Sequence, residues 1–269
     1  MPIASRVAIV TGAARGIGAA TVLALARQGW SVLAFDRGSN EEALPYPMAT
    51  EADLSSVLAQ ARHACGAQDK VAGYIGDVRD QATLAGAVAE AEARWGGLDA
   101  AIAAAGVIAG GVPLWEVPPE QERAVLDVDL GGVLGLARVA IPALLRRPEP
   151  RSGRFLAVAS AAATRGMPMI AAYCAAKAGV AGLIRALAAE LGSTGVTANA
   201  VSPGSTNTAM LDESARLYGL ADASVFAGQQ PAGRLLDPAE VAAVLAFLAG
   251  TESSAMTGAV LPVDGGLAL

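Results

Sequence analysis

Tyr173 and Lys177 stand four residues apart in the run YCAAK. That spacing puts both side chains on one face of a helix. Two readings are open for the pair alone: two amphipathic side chains snorkelling at a surface, or a phenol held beside an ammonium for proton transfer. An unperturbed tyrosine has a pKa of about 10, too high for acid–base work near neutrality. A neighbouring ammonium favours the phenolate, so Lys177 is expected to depress Tyr173. A depression of about two to three units corresponds to about 3–4 kcal/mol. Ser160 precedes Tyr173 by 13 residues, at the end of the apolar run RFLAVAS. A loop of that length can bring both hydroxyls to one carbonyl oxygen, where Ser160 steadies the charge that develops. Lys177 can also reach a nicotinamide ribose.

Proton transfer of this kind needs a hydride partner, and the first residues carry a cradle for one. TGAARGIG, from Thr11 to Gly18, follows the β-branched run RVAIV and opens the helical AATVLALARQG. Gly12 permits a tight turn, Gly16 permits close approach of a pyrophosphate, and Gly18 permits close packing of the helix. The helix N-terminus offers free N–H groups and partial positive charge to phosphate. Glycines alone also fit a merely structural turn. Asp36 adds weight: it follows Gly18 by 18 residues and ends the strand WSVLAFD. A carboxylate there can accept both ribose hydroxyls of NAD and repel the extra phosphate of NADP. Arg37 is the competing signal, because an arginine at this turn can pair with that phosphate. NAD is the expected cofactor, NADP the lesser alternative. Asp77 and Val78 end a third strand, where they can meet the adenine.

The elements that must position these residues alternate along the whole chain. Strands are expected at RVAIV, WSVLAFD, VAGYIGDV, LDAAIAAAG (98–106), RFLAVAS, VTANAVSPG (196–204) and AVLPVDGG. Helices are expected at 80–95 with Asp80 as N-cap, at about 118–146, from about Ala171, and at 238–250. Alternation of this kind predicts an α/β fold: one Rossmann domain with a doubly wound parallel sheet of about seven strands and helices on both faces. Gly12, Asp36, Asp77, Gly106, Ser160 and Pro203 then fall at strand ends, where such sheets bind ligands. Residues 37–54 contain Pro45 and Pro47 and read as an extra surface loop leading to a helix capped near Thr50. The loop is either a tolerated insertion or a lid over the adenosine half of the cofactor. Residues 205–233 lack strong periodicity and read as a mobile flap over an apolar substrate surface, with Met210, Leu217, Tyr218 and Phe226.

Bulk properties exclude several function classes. The chain has 269 residues, 54% hydrophobic and 16% charged, with a net charge of −6. No basic stripe suits nucleic acid. No apolar run is expected to reach the roughly 18 residues of a membrane span. The N-terminus lacks a signal-peptide pattern, so the cytoplasm is expected. The single histidine, His63, lies in a polar helical stretch and reads as solvated. Cys65 and Cys174 are expected to stay reduced, and no cluster has metal-ligand spacing.

TGAARGIG, Asp36, the Ser160…YCAAK spacing and VSPGSTNT together resemble the short-chain dehydrogenase/reductase family. The resemblance implies Tyr173 as general acid/base, Lys177 as its electrostatic partner and Ser160 as hydrogen-bond partner of the substrate oxygen. It implies a cofactor surface formed by Gly12, Arg15, Gly16, Ile17, Gly18, Asp36, Asp77, Val78, Ala105, Gly106, Tyr173, Lys177, Pro203, Gly204, Thr206 and Thr208, with Thr208 meeting the nicotinamide carboxamide. It also implies a homo-dimer or homo-tetramer. The insertion containing PYPMAT is similar to the carveol-dehydrogenase-like, mycofactocin-associated branch. That branch is linked to NAD that exchanges poorly and to an external redox carrier. Two features depart from the family. Ala103-Ala104-Ala105-Gly106 replaces Asn-Asn-Ala-Gly, with loss of amides that tie strands together. Asp129 stands where the family has its catalytic asparagine, adding a charge to the proton relay. The expected activity is NAD-dependent interconversion of a small apolar secondary alcohol and its ketone. The alternatives are an NADPH-dependent 3-oxoacyl thioester reductase and a non-catalytic nucleotide-binding regulator.

Overall fold

The computed structural model describes residues 6–269. Strand β1 (Val7–Thr11) shows how the core is built: Val7 and Ile9 face one apolar layer, Ala8 and Val10 the other, and all are fully buried. A strand covered on both faces must be apolar throughout, and this one is. After it come helix α1 (Gly16–Arg27), β2 (Ser31–Asp36), α2 (Glu51–Cys65), β3 (Val71–Ile75), α3 (Gln81–Trp95) and β4 (Ala100–Ala103). The second half holds α4 (Pro119–Leu126), α5 (Gly132–Leu145), β5 (Arg154–Val158), α6 (Ala171–Leu191), β6 (Thr197–Pro203), α7 (Ala209–Leu217), α8 (Pro238–Ala249) and β7 (Val260–Val263). Among the described residues seven strands pair in parallel in the order β3-β2-β1-β4-β5-β6-β7. The order reverses between β1 and β4, which opens a crevice at their carboxyl ends.

The helix caps follow the sequence. Asp80 accepts from the Ala82 and Thr83 amides at the start of α3, and Thr50 forms a capping box with Asp53 on α2. His63 is exposed on α2.

Several expectations gain detail or change. The long helix expected over 118–146 runs from 119 to 145, with a π turn at Asp127–Gly131 joining α4 to α5. The wide turn carries Asp129 inward, where it is fully buried. The 37–54 segment is an irregular loop as far as the Thr50 cap, but it is anchored in the core rather than lying wholly on the surface. Pro45 and Pro47 are exposed, but Tyr46 between them is buried, as are Leu44 and Ala49. The chain bends at Leu44–Tyr46, and side chains alternate between exposed prolines and buried apolar residues. The 205–233 segment contains α7 and a 3-10 turn at Ala223–Gln229, closed over a small core of Ala215, Ala223 and Phe226. Its periodicity is hard to read because both helical pieces are short. Finally, the helical spans 119–145 and 171–191 are long and apolar enough to cross a membrane, against the expectation that no run reaches that length. Both turn buried faces onto the sheet, through Leu136, Ala140 and Leu144 in one and Val180, Ile184 and Ala188 in the other. A helix lining a sheet needs an apolar inner face, and these are also rich in Ala and Leu outside it.

Candidate active site

The carboxyl ends of the strands border a groove of about 750 Å³. Every expected catalytic and cofactor residue lines it except Asp129, which lies fully buried beside it; of the expected apolar substrate residues Met210, Tyr218 and Phe226 line it, while Leu217 faces a separate cavity.

At one end is the start of α1. Gly12 has a φ of +65°, and a Cβ there would lie 2.6 Å from the Ala105 Cα. A Cβ on Gly18 would collide with the Gly12 carbonyl oxygen. The close packing that needs Gly18 is therefore against the turn itself rather than against the sheet. No side chain caps α1, so its first N–H groups point into the groove as donors for an anion. That fits the pyrophosphate of a dinucleotide. Arg15 donates from Nη1 to the Pro47 carbonyl at 2.9 Å and lies 3.6 Å from the Met48 sulfur. It straps the 37–54 segment across the glycine turn.

Asp36 ends β2 and accepts from the Ala14 amide at 2.9 Å and the Gly38 amide at 3.1 Å. Arg37, the competing signal, is engaged elsewhere: its guanidinium is 2.5 Å from Glu41 and 3.5 Å from Asp77. Arg79 holds the same two carboxylates at 2.7 and 2.6 Å. Burial works against the charge on Glu41 and Asp77, but the arginines hold both below the usual carboxylate range. Sequence reasoning missed Glu41 and Arg79, whose partners come together only when β2 and β3 pair.

The run after β4 answers the question raised by Ala103-Ala104-Ala105-Gly106. Thr11 Oγ1 accepts from the Ala104 and Ala105 amides at 3.2 and 3.3 Å. Asp129 Oδ1 accepts from the Val107 amide at 2.8 Å, and the Tyr46 hydroxyl accepts from the Ile108 amide at 3.0 Å. Side chains from β1, the π turn and the 37–54 segment thus hold a strand end that lacks its own amide side chains. A Tyr46 hydroxyl pushed up by burial stays protonated. Thr11 and Tyr46 carried no signal in sequence.

At the other end stand Ser160, Tyr173 and Lys177. Ser160 caps the short turn after β5, accepting from the Ala162 amide at 3.1 Å. Tyr173 and Lys177 rise from the first turns of α6, both buried. Lys177 Nζ lies 5.5 Å from the Tyr173 ring centroid, donates to the Val158 carbonyl at 3.1 Å and is 3.1 Å from Asp129 Oδ2. The Tyr173 hydroxyl lies 3.9 Å from the Met210 sulfur. The expected depression of the phenol is not what this arrangement gives. Burial pushes Tyr173 up; Lys177 pulls it down; Asp129 pushes it up again; a hydrogen bond with Ser160 lowers it, and the net direction is upward. Burial likewise raises the Asp129 carboxyl against the pull of Lys177. Burial works to discharge Lys177, but Asp129 and Tyr173 together hold its ammonium above the ordinary lysine range.

Thr206 and Thr208 shape the loop after β6. Thr206 donates to the Gly204 carbonyl at 3.0 Å, and Thr208 donates to the Thr206 carbonyl at 3.2 Å while capping α7. Beyond Tyr173 the groove is bordered by Met167, Ile170, Met210, Leu220, Phe226 and Leu267, with Arg165 at its mouth. Arg165 donates to the Leu267 carbonyl at 2.8 Å.

Comparison with known proteins agrees with this geometry. Residues 12–268 match the family described as enoyl-(acyl carrier protein) reductase. A cis-4-hydroxycyclohexanecarboxylate dehydrogenase from Sinomonas cyclohexanicum is 37% identical over 265 residues, covering 98% of this chain and 96% of the relative. A 3-oxoacyl-[acyl-carrier-protein] reductase from Thermotoga maritima is 33% identical over 272 residues, covering 100% of both chains. The crystal structure of carveol dehydrogenase from Mycobacterium avium in complex with NAD superposes with a TM-score of 0.91 at 30% identity, covering 98% of each chain. The chain is therefore an enzyme, an oxidoreductase that binds a nicotinamide cofactor and a small substrate, and not a non-catalytic regulator. It belongs to the short-chain dehydrogenase/reductase family.

Proposed function

We propose that the protein is an NAD-dependent oxidoreductase that interconverts a secondary alcohol and its ketone. The observation that carries this reading is the meeting of Ser160, Tyr173 and Lys177 at one end of a groove whose other end presents the Asp36 carboxylate. Asp36 favours NAD, and the engagement of Arg37 by Glu41 and Asp77 removes the signal that favoured NADP. The first N–H groups of α1 would hold the pyrophosphate, Asp36 the adenosine ribose, Lys177 the nicotinamide ribose and Thr208 the carboxamide. When bound, the nicotinamide supplies or takes the hydride. Tyr173 gives its proton to the carbonyl oxygen in reduction and takes it back in oxidation. Ser160 donates to the same oxygen as charge builds.

The substrate surface is apolar. Arg165 is the cation on that side of the groove among the described residues, since Arg15 and Arg37 serve the adenosine end and Lys177 pairs with Asp129. An apolar ring bearing a carboxylate suits such a surface, and the Sinomonas relative is named for a substrate of that kind. The Arg15–Pro47 and Tyr46–Ile108 contacts support reading 37–54 as a lid that slows cofactor exchange, with an external redox carrier as the electron partner. Exposed Leu134 on α5 supports a homo-dimer or homo-tetramer, and the cytoplasm is the proposed compartment.

The Thermotoga relative favours a second reading, reduction of 3-oxoacyl thioesters with NADPH. Turnover of apolar secondary alcohols and ketones with each cofactor separates the two. NAD-linked turnover that Tyr173→Phe abolishes, with cofactor binding retained, is expected. Full turnover by Tyr173→Phe refutes the mechanism, and a clear NADPH preference with acyl thioesters selects the second reading.

A further inference from the structure

Asp129 is a carboxylate with no exposure at all, set by the π turn against the base of the catalytic pair. Oδ1 takes the Val107 amide at 2.8 Å. Oδ2 lies 3.1 Å from Lys177 Nζ without the alignment of a hydrogen bond. The contact is therefore a charge pair more than a directional bond. Among the described residues no other carboxylate lies within ion-pair distance of Lys177. Gly106 leaves room directly over the pair: a Cβ there would stand 3.2 Å from Oδ2 and 3.5 Å from Nζ.

An unbalanced ammonium beside a phenol favours the phenolate. A balanced ion pair presents little net charge, and its field falls away quickly with distance. We propose that Asp129 is a positioning residue that neutralises Lys177, so that Tyr173 stays protonated at neutral pH and the site stands ready to reduce a ketone. In that direction hydride goes to the carbonyl carbon, and the Tyr173 proton goes to the oxygen. Alcohol oxidation needs the phenolate and waits for higher pH. The inference rests on the proposed reaction.

The groups facing this centre are few. Tyr173 meets Lys177 and Cys174 from its own helix, Asp129 from the π turn and Ser160 from the turn after β5. Tyr46 faces Asp129 from the 37–54 segment, with Arg15 and Glu213 beyond it. None of these replaces Asp129 as a counter-charge to Lys177.

The test is the ionisation of Tyr173 in the intact protein. It is read as phenolate absorbance, each protein measured against its Tyr173→Phe counterpart so that Tyr46, Tyr74 and Tyr218 cancel. Asp129→Asn is isosteric and keeps an acceptor for Val107. Its phenol is expected to titrate about one to two pH units lower than the wild type. The pH profile of alcohol oxidation should move by the same amount. An unchanged midpoint in a folded Asp129→Asn protein overturns the proposal. If that variant does not fold, the wild type decides: a phenol midpoint below the ordinary tyrosine range shows Lys177 acting without a counter-charge and overturns it, and one at or above that range supports it. Absence of turnover with every alcohol and ketone would sink the proposed reaction, while the absorbance titration would still decide the role of Asp129.

Discussion

Tyr46→Phe isolates one hydrogen bond in the 37–54 segment. The ring is 8% exposed and packs with Leu44 in the core, so phenylalanine keeps its burial and leaves no cavity. The hydroxyl, however, is the acceptor of the Ile108 amide at 3.0 Å. Removing it leaves a buried N–H unpaired, which costs about 1–3 kcal/mol. The loss is confined to the closed segment, because on opening water can satisfy the amide. It therefore appears as easier opening as well as lower stability. With about 1.4 kcal/mol per factor of ten, bound cofactor should escape roughly five to 150 times faster. Tyr46→Ala also removes the ring and should cost about 3–5 kcal/mol, with still faster escape. The assay is displacement of bound nicotinamide nucleotide by labelled NAD, alongside urea unfolding of each variant. A Tyr46→Phe protein with unchanged stability and unchanged exchange would show that the segment does not close the groove through this contact. Faster exchange in Tyr46→Ala alone would assign the lid to the packing of the ring.

Further outcomes follow from the same geometry. Asp36→Asn, which keeps an acceptor for the Ala14 or Gly38 amide, should shift the NADP-to-NAD affinity ratio toward NADP by at least tenfold, about 1.4 kcal/mol. Adding Glu41→Gln should increase the shift by loosening Arg37, and an unaltered ratio in binding titrations would remove Asp36 as the selector. Arg165→Met should raise KM for acid-bearing alicyclic alcohols about tenfold or more while leaving uncharged analogues unaffected; equal effects on both would show that Arg165 only anchors the chain end at Leu267. Thr11→Val, which strips the acceptor from the Ala104 and Ala105 amides, should lower stability by about 1–3 kcal/mol in urea unfolding. No loss there would mean that the Gly12–Ala105 approach alone holds the strand end.

Much of this protein is written in local pattern. Alternating strands and helices, the glycine turn after β1 and the caps at Thr50 and Asp80 depend on neighbours close in sequence, and so the fold was legible from it. The four-residue spacing of Tyr173 and Lys177 likewise placed both on one helix face. Tertiary structure decided what those groups experience. Asp129 is 48 residues from Lys177 in the chain, and only the π turn brings its charge within 3.1 Å. Burial first, and then the Asp129 charge, reverse the expected direction for Tyr173, because electrostatics in a buried site depends on distance and solvation rather than on spacing. Arg37 reads as a phosphate ligand until β3 delivers Asp77 and Arg79 beside it. Tyr46 reads as a loop residue until its hydroxyl meets the Ile108 amide, 62 positions away. Sequence sets which groups the chain can offer over short spans; the pairing of distant elements sets which charges and donors are already satisfied, and that determines the chemistry left to the site.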